Sequence, residues 1–360
     1  MAMLLELNQV GKREDLSDLI AIADMKETPL TTAIPKSAAA TNTHFEWQLD
    51  NYLVPNIGGV IDGVDANASN YENEVANRAR VGGYVQKMWR VPAVSDFSEN
   101  ISDVAGIGKE EEMANCVAKA IEELKRDIEA TCCSDQSAQL QTGSVPYLTR
   151  ALGPWINTGT VTLAAGGTTA SLTAVDTTLP IPAAYQTPSA SILAGVSNTA
   201  LTEAMVQTLF ASVFNQTGRQ GEFYGLVAPN IKLAFTAFSL YQPQSSTSLP
   251  VRRIGVADDS ELKASIDVYH GDFGKVTLHP TLFNGFASQY PNNGSYPISS
   301  AGPIDTYRAY FLDIEKLALR FNRRPRFYPL PDLGGGPRGI VDAIFGLQCN
   351  NPLGHAKITG

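Results

Sequence analysis

The sequence is short of charge. Only 18% of its 360 residues are Asp, Glu, Lys or Arg, against about 25% in an average soluble domain. A chain this poor in charge either buries an unusual share of its surface or coats it with Ser, Thr, Asn and Gln. Loss of charge is also what marks the centre of a protein–protein interface. Basic residues are the scarcer sign, 27 against 36 acidic, for a net charge of −9. That balance argues against a dedicated nucleic-acid binder, which would show a basic face, but not against a protein that encloses nucleic acid without gripping it. No apolar run approaches the roughly 18 residues of a membrane span, so no membrane contact is expected. The opening Met1-Ala2-Met3-Leu4-Leu5-Glu6 has neither the basic region nor the longer apolar stretch of a secretory signal, which predicts a cytoplasmic origin.

Catalytic residue types are equally scarce. The four cysteines, Cys116, Cys132, Cys133 and Cys349, show no CxxC spacing, so they read as reduced packing residues rather than disulfides or metal ligands. If Cys116 and Cys132 share a helix they lie roughly 24 Å apart, too far to bridge. The only histidines are His44, His270, His279 and His355, and no serine stands in a Gly-x-Ser-x-Gly elbow. Gly106-Ile107-Gly108-Lys109 lacks the spacing and the following Ser or Thr of a phosphate loop. Glu110-Glu111-Glu112 points in three directions if helical. No enzyme signature is present, and no cofactor or metal is expected.

What is present is an ordered series of elements. Leu16, Leu19, Ile20 and Ala23 form a short helical stripe. Lys36–Thr43 is small and polar, with nothing to bury, so residues 1–43 read as an arm that needs a neighbouring surface to order it. His44–Leu53 alternates, with Phe45, Trp47 and Leu49 on one side, and Gly83–Val94 reads as a second strand carrying Trp89. The polar, Gly-rich stretch between them predicts a projecting β-hairpin, which is barely stable unless it packs on something else. Lys109–Cys132 carries Met113, Val117, Ile121, Leu124 and Ile128 at helical spacing, for a helix of roughly 36 Å. Residues 141–199 turn to Thr, Ala, Gly, Ser and Pro and read as an insertion or domain transition. Leu201–Phe214 and Asn230–Tyr241 read as helices flanking a strand at Phe223–Ala228. Ile266–His270 and Lys275–His279 form a hairpin, and Tyr310–Leu330 and Gly339–Ile358 are strand-like. One basic cluster remains, Arg320, Arg323, Arg324 and Arg326, interleaved with Phe321, Phe327 and Tyr328. Arginine pairs with carboxylate or phosphate, so this cluster meets either acidic residues, of the same chain or a neighbour, or DNA.

The order of these parts resembles the major capsid protein of tailed bacteriophages, the Hong Kong 97-type fold. Particular stretches carry the resemblance. They are the arm Gly11-Lys12-Arg13-Glu14-Asp15-Leu16-Ser17-Asp18-Leu19-Ile20, the segment Glu27-Thr28-Pro29-Leu30 and the strand Phe45-Glu46-Trp47-Gln48. The helix end Leu124-Lys125-Arg126-Asp127-Ile128-Glu129-Ala130 and the tail Asn350-Asn351-Pro352-Leu353-Gly354-His355-Ala356 complete the set. The resemblance is weakest over 141–200 and 284–305.

It implies an α+β fold with an N-terminal arm (1–43), an extended loop (44–92) lying over a neighbouring subunit, and a peripheral domain. That domain begins at 93–150, with its spine helix at about 109–132, and returns at 306–360. Between them lie an insertion or transition (151–200) and an axial domain (201–305). It further implies a non-enzymatic shell protein of the virion that assembles with itself into hexamers and pentamers in the host bacterial cytoplasm. The shell would enclose double-stranded DNA without reading its sequence, and its partners would be a portal and scaffolding or decoration proteins. The alternative within the same fold is an encapsulin-type nanocompartment. The assembly contacts expected on this reading are Phe45, Trp47 and Trp89 at strand contacts, and Arg323 and Arg324 against Asp62 or Asp65. Some members of the wider fold weld subunits through a loop lysine. This chain has no lysine between Lys36 and Lys87, so a non-covalent shell is expected.

Overall fold

The computed structural model describes residues 27–67, 71–101, 107–108, 110–143, 145–158, 160–162, 169–171, 179–196, 201–238, 240–241, 251–252, 266–285 and 307–360. The helix expected at 15–23 lies outside the described residues. A short helix, Pro29–Ala33 (α1), comes first. His44–Leu49 (β1) and Ala79–Tyr84 (β2) pair antiparallel, from His44 opposite Tyr84 to Leu49 opposite Ala79. Gln86–Arg90 (β3) leads to Asp96–Asn100 (α2) and the long Glu112–Cys133 (α3). Leu152–Trp155 (α4) precedes Thr160–Thr162 (β4) and Thr169–Ser171 (β5), which pair with each other. Then come Ile192–Leu193 (β6), Glu203–Thr217 (α5), Gly221–Val227 (β7) and Pro229–Ala237 (α6). Leu240–Tyr241 (β8) pairs with Val251–Arg252 (β9). The chain ends with Val268–Gly271 (β10), Gly274–Pro280 (β11), Ala309–Leu312 (β12), Leu317–Pro329 (β13), Gly339–Cys349 (β14) and Ala356–Ile358 (β15).

The chain divides into two compact units, and β3, α3, β13 and β14 contribute residues to both. The larger unit holds residues 28–88, 126–324 and 343–360. Its main sheet has the order β10-β11-β7-β12-β15-β6, with parallel pairing at β11–β7 and β15–β6 and antiparallel pairing elsewhere. Helix α5 starts where the Thr202 hydroxyl accepts the Met205 N–H (3.4 Å) and stops at Gly218, whose φ of 66° favours glycine. Between them Val206, Leu209, Phe210 and Val213 recur at helical spacing, each at most 2% exposed. Phe210 meets Phe223 at 5.1 Å and Phe311 at 5.2 Å between ring centroids. From α6, Phe235 reaches Tyr269 and Phe311. Each such buried side chain stabilises the unit by about 1.5–3 kcal/mol over its exposed state.

Several expectations need correction here. Part of residues 151–200, expected as an insertion or transition, packs into the core rather than forming loop: α4 is entirely buried, and Ile181, Tyr185, Ile192, Ala194 and Val196 are each 8% exposed or less. Strand β6 forms one edge of the main sheet. Small residues here mark tight packing rather than loop, since a Cβ at Gly153 would fall 2.0 Å from the Asp135 carboxylate. The expected break at 306 does not separate two sheets, because β12 and β15 pair into the same sheet as β7 and β11. Strand pairing is long-range, and the local pattern does not reveal it. The segment 36–43 has something to bury after all: Ala40 is 1% exposed. Ser37 N–H donates to the Leu319 carbonyl and the Asn322 amide to the Ala40 carbonyl.

The second strand of the hairpin begins at Ala79 rather than Gly83 and ends at Tyr84. After the buried Val85 the chain enters β3, which belongs to another sheet, ordered β13-β14-β3. Gly82 and Gly83 hide the alternation on which the strand was read. They are glycines because β1 side chains lie on them, and a Cβ at Gly83 would sit 2.9 Å from the Phe45 ring.

The smaller unit holds residues 1–27, 89–125 and 325–342. Val94 N–H donates to the Pro337 carbonyl and Gly339 N–H to the Pro92 carbonyl, both at 3.0 Å. Gly336 (φ 107°) lies so close to this junction that a Cβ would meet the Val94 carbonyl at 2.3 Å. Helix α3 begins at Glu112 rather than Lys109, because Gly108 and Glu110 have positive φ (89° and 66°). Only Glu112 therefore stands in the first turn. The Glu99 carboxylate accepts the Met113 N–H at 2.9 Å there, supplying one of the helix's four orphan donors with an acceptor.

Candidate assembly surfaces

The loop joining β1 to β2 is the first exposed surface. Among its described residues from 50 to 78, all but Leu53 are exposed. Tyr52, Val54, Ile57, Val60 and Ile61 range from 80% to 102% exposed. Apolar side chains presented together in this way mark an interaction surface. The loop is also acidic: residues 50–77 contain Asp50, Asp62, Asp65, Glu72 and Glu74 and no Lys or Arg. Asp50 is answered by Arg78 (3.1 Å) and Glu46 by Arg80, which clasp the hairpin base. The Tyr185 hydroxyl donates to the Asn77 carbonyl at 2.6 Å and fixes the point where the loop returns. At the far end, a turn closed by Val64 N–H on the Ile61 carbonyl (3.2 Å) presents Asp62 and Asp65.

The expected contact residues divide into three groups. Phe45 is 6% exposed, enclosed by Gly83, Gly346 and the Arg320 guanidinium 5.3 Å from its ring. Trp47 stacks on Phe45 at 5.8 Å and leans on the buried Trp155 at 5.6 Å, and Arg150 lies 4.4 Å over the Trp155 ring. Phe45 is therefore a core residue of the subunit rather than a free contact residue, and the half-buried Trp47 packs against it. The alternating pattern identified the strand and its apolar side but not whether that side meets its own chain or a neighbour. Trp89 is 46% exposed, and Asp62 and Asp65 are exposed.

Strand β13 carries the arginines. Its 13 residues include Arg320, Arg323, Arg324 and Arg326 and no acid. Arg320 is used internally, donating to the Gln348 side chain and covering Phe45. Arg323 is half-buried, and Arg324 and Arg326 are exposed. Arg326 rests on Tyr328, 4.2 Å from the ring centroid. Both the acidic loop and the outer arginines of β13 are exposed.

Three of the four cysteines and one histidine are buried. Burial raises the thiol pKa of Cys132 and Cys133 and pushes Cys349 up to about 12. All four cysteines are free. His279 stacks on Tyr224 at 4.0 Å, and His355 is fully buried. Among the described residues no cluster of His, Cys, Asp or Glu has the makings of a metal site, and no helix is long and apolar enough to cross a membrane.

Sequence reasoning missed Glu129, a fully buried carboxylate on α3. It accepts the Leu30 and Thr31 N–H groups, both at 2.7 Å, and so binds the start of α1 to the long helix. A Glu inside Asp127-Ile128-Glu129-Ala130 looks like any solvated helix position. The only signal was its place beside Ile128 on the apolar stripe.

A family profile described as the SU10 major capsid protein matches residues 5–360. No curated protein matches the sequence. Among solved structures, the chain is similar to the cyanophage A-1(L) capsid asymmetric unit, with 16% identity, 99% of each chain covered and a TM-score of 0.55. It is also similar to the capsid of a native GTA particle, with 11% identity, 97% of this chain and 95% of that one covered, and a TM-score of 0.54. A third is a Mycobacterium phage Bobi chain, with 10% identity, the same coverage and a TM-score of 0.53. The α+β arrangement described above is the Hong Kong 97-type capsid fold that these chains share.

Proposed function

Because the chain belongs to the SU10 major capsid protein family, and so has a structural role in a phage head shell, we propose that it forms the icosahedral head of a tailed double-stranded DNA bacteriophage. It assembles as hexamers and pentamers in the host cytoplasm, and it meets a portal and, during assembly, a separate scaffolding protein. The observation that carries this reading is the loop of residues 50–78, whose side chains Tyr52, Val54, Ile57, Val60 and Ile61 are 80% exposed or more. Leaving such a surface in water is costly, and a second subunit relieves that cost. The acidic balance, net −9, suits a container that holds DNA without adhering to it. The family match is to a major capsid protein and does not favour an encapsulin.

Electron microscopy of the protein expressed alone and together with its neighbouring head genes tests the proposal. Closed shells that need or accept a portal are expected. A protein that stays monomeric under every assembly condition, with and without the other head proteins, refutes it. Shells loaded with a protein cargo and formed by this chain alone would return the encapsulin reading.

A further inference from the structure

We propose that the last seven residues of β13, 323–329, are a guarded sheet edge that keeps free subunits from pairing strand to strand. The inference goes beyond the shell reading, since it concerns the subunit before it meets any other.

Among the described residues β13 is an edge strand, at one end of the order β13-β14-β3. It has 13 residues, whereas the next longest described edge strands, β1 and β2, have six each. The edges of the main sheet, β10 and β6, have four and two. A long open edge is a template on which another chain can add. The first part of this edge is covered by the chain itself. Leu319 N–H donates to the Pro35 carbonyl at 3.0 Å, and the Leu319 carbonyl accepts the Ser37 N–H at 3.2 Å. The Asn322 amide reaches the Ala40 carbonyl at 2.7 Å. Beyond Asn322 no described strand lies beside β13 on that side.

There the composition changes. Pro325 and Pro329 stand in β13, while β14 and β3 contain no proline. Successive residues of a strand turn their N–H groups to opposite sides. Leu330 N–H donates to the Arg338 carbonyl beside β14 at 2.9 Å, and a Cβ on Gly339 of β14 would meet the Tyr328 carbonyl at 2.7 Å. The even-numbered residues of β13 therefore turn their backbone groups to β14. Leu319 is odd-numbered and turns outward, and so do residues 325, 327 and 329. Both prolines thus remove an N–H from the open edge and none from the pairing with β14. Phe327 N–H is the one outward donor between them. Arg324 and Arg326 are exposed, and β13 holds four arginines and no acid. Two copies paired along this edge would set like charges side by side, which opposes the pairing. The chain's own cover ends where the prolines and outer arginines begin, so each part of the edge has its protection. Strand pairing here would tie up subunits outside the contacts of a closed shell.

Restoring the missing donors tests this. The variants are Pro325→Val with Pro329→Val, and the same pair together with Arg324→Thr and Arg326→Thr. They are studied as full-length free subunits without the other head proteins. Sedimentation measures association, and electron microscopy separates open fibres and irregular aggregates from closed shells. Amide hydrogen exchange reads the Phe327 N–H, which should exchange freely in the wild-type subunit. The proline variant is expected to lose soluble protein several-fold, as open aggregates, and to gain protection at the Phe327 amide. The four-fold variant should lose more. Matching thermal melts of dilute subunits check that folding is intact.

Variants that stay as soluble as wild type overturn the guard. So does association that leaves the Phe327 amide exchanging, because it then runs through another surface. A Phe327 amide already protected in the free wild-type subunit overturns it too. Should the valine variants fail to fold, proline placed on the two sides of the strand decides the matter. Phe327→Pro should melt close to Phe327→Ala, because that N–H points away from β14. Arg326→Pro should melt well below Arg326→Ala, because it breaks a bond to β14. Equal penalties refute the assignment of the edge, and the guard with it. A wild-type protein that forms no shells at all refutes the functional reading instead, so the two failures are distinct.

Discussion

His355 and Glu129 are both fully buried, and they answer pH in opposite directions. The His355 Nδ1 accepts the Asp313 N–H at 3.1 Å, a bond that exists only while that nitrogen is unprotonated. Burial pulls its pKa down to about 3. Between pH 6.5 and about 3 the unfolded chain therefore takes up a proton that the folded chain refuses. This contribution to stability is fully present above pH 6.5 and is lost on acidification, by up to about 1.4 kcal/mol per pH unit. Glu129 is held above the usual carboxylate range, chiefly by burial and against the pull of its two N–H donors. Its folded form binds a proton more readily than its unfolded form, so acidification through the carboxylate range favours folding. His355→Asn keeps an acceptor and removes the titration. Denaturant midpoints of unassembled subunits at pH 7 and pH 4.5 should fall less for this variant than for wild type. Equal losses would show that His355 does not carry the acid sensitivity.

At the scale of elements, the tie between α1 and α3 depends on one carboxylate. Glu129→Ala leaves the Leu30 and Thr31 N–H groups without their acceptors. Each orphaned buried donor costs about 1–3 kcal/mol. The variant should show both a lower melting temperature and faster protease cleavage within 28–43, while Glu129→Gln, which keeps one acceptor oxygen, loses less. Cleavage at the wild-type rate would mean that the Leu319 and Asn322 contacts hold the segment by themselves. Elements with a strong local period were legible in the sequence. Helix α3 was expected at 109–132 and runs over Glu112–Cys133. Helix α5 was expected at 201–214 and runs over Glu203–Thr217. The misses share a cause, in that the missing information lay in the partner. Gly82 and Gly83 look like strand breakers until the β1 side chains above them are seen. Similarly, the small residues of 181–196 look like loop until β15 is seen beside β6.

For the molecule as a whole, the family-like stretches and their order were enough to identify a shell protein, because the evidence lay in sequence rather than in any site. The contact surfaces were legible only in part. Asp62, Asp65 and Arg324 were expected at contacts and are exposed, whereas Phe45 is buried in its own core with the half-buried Trp47 against it. Alternation along a strand reports which side is apolar and not whose surface covers it. One consequence follows at this scale. Residues 37–86 contain no lysine, so the loop has no amine with which to form a lysine–asparagine isopeptide bond. All four cysteines are free, three of them buried, which leaves no ready route to disulfide welding. A shell held by packing, hydrogen bonds and ion pairs is therefore the expected outcome. Purified particles boiled in denaturing detergent should run as a single band at the 38.6 kDa of the chain, with and without reductant. A ladder of multimers that survives reduction would establish a covalent link through residues outside this loop. A ladder lost on reduction would point to Cys116, the one cysteine that is not buried.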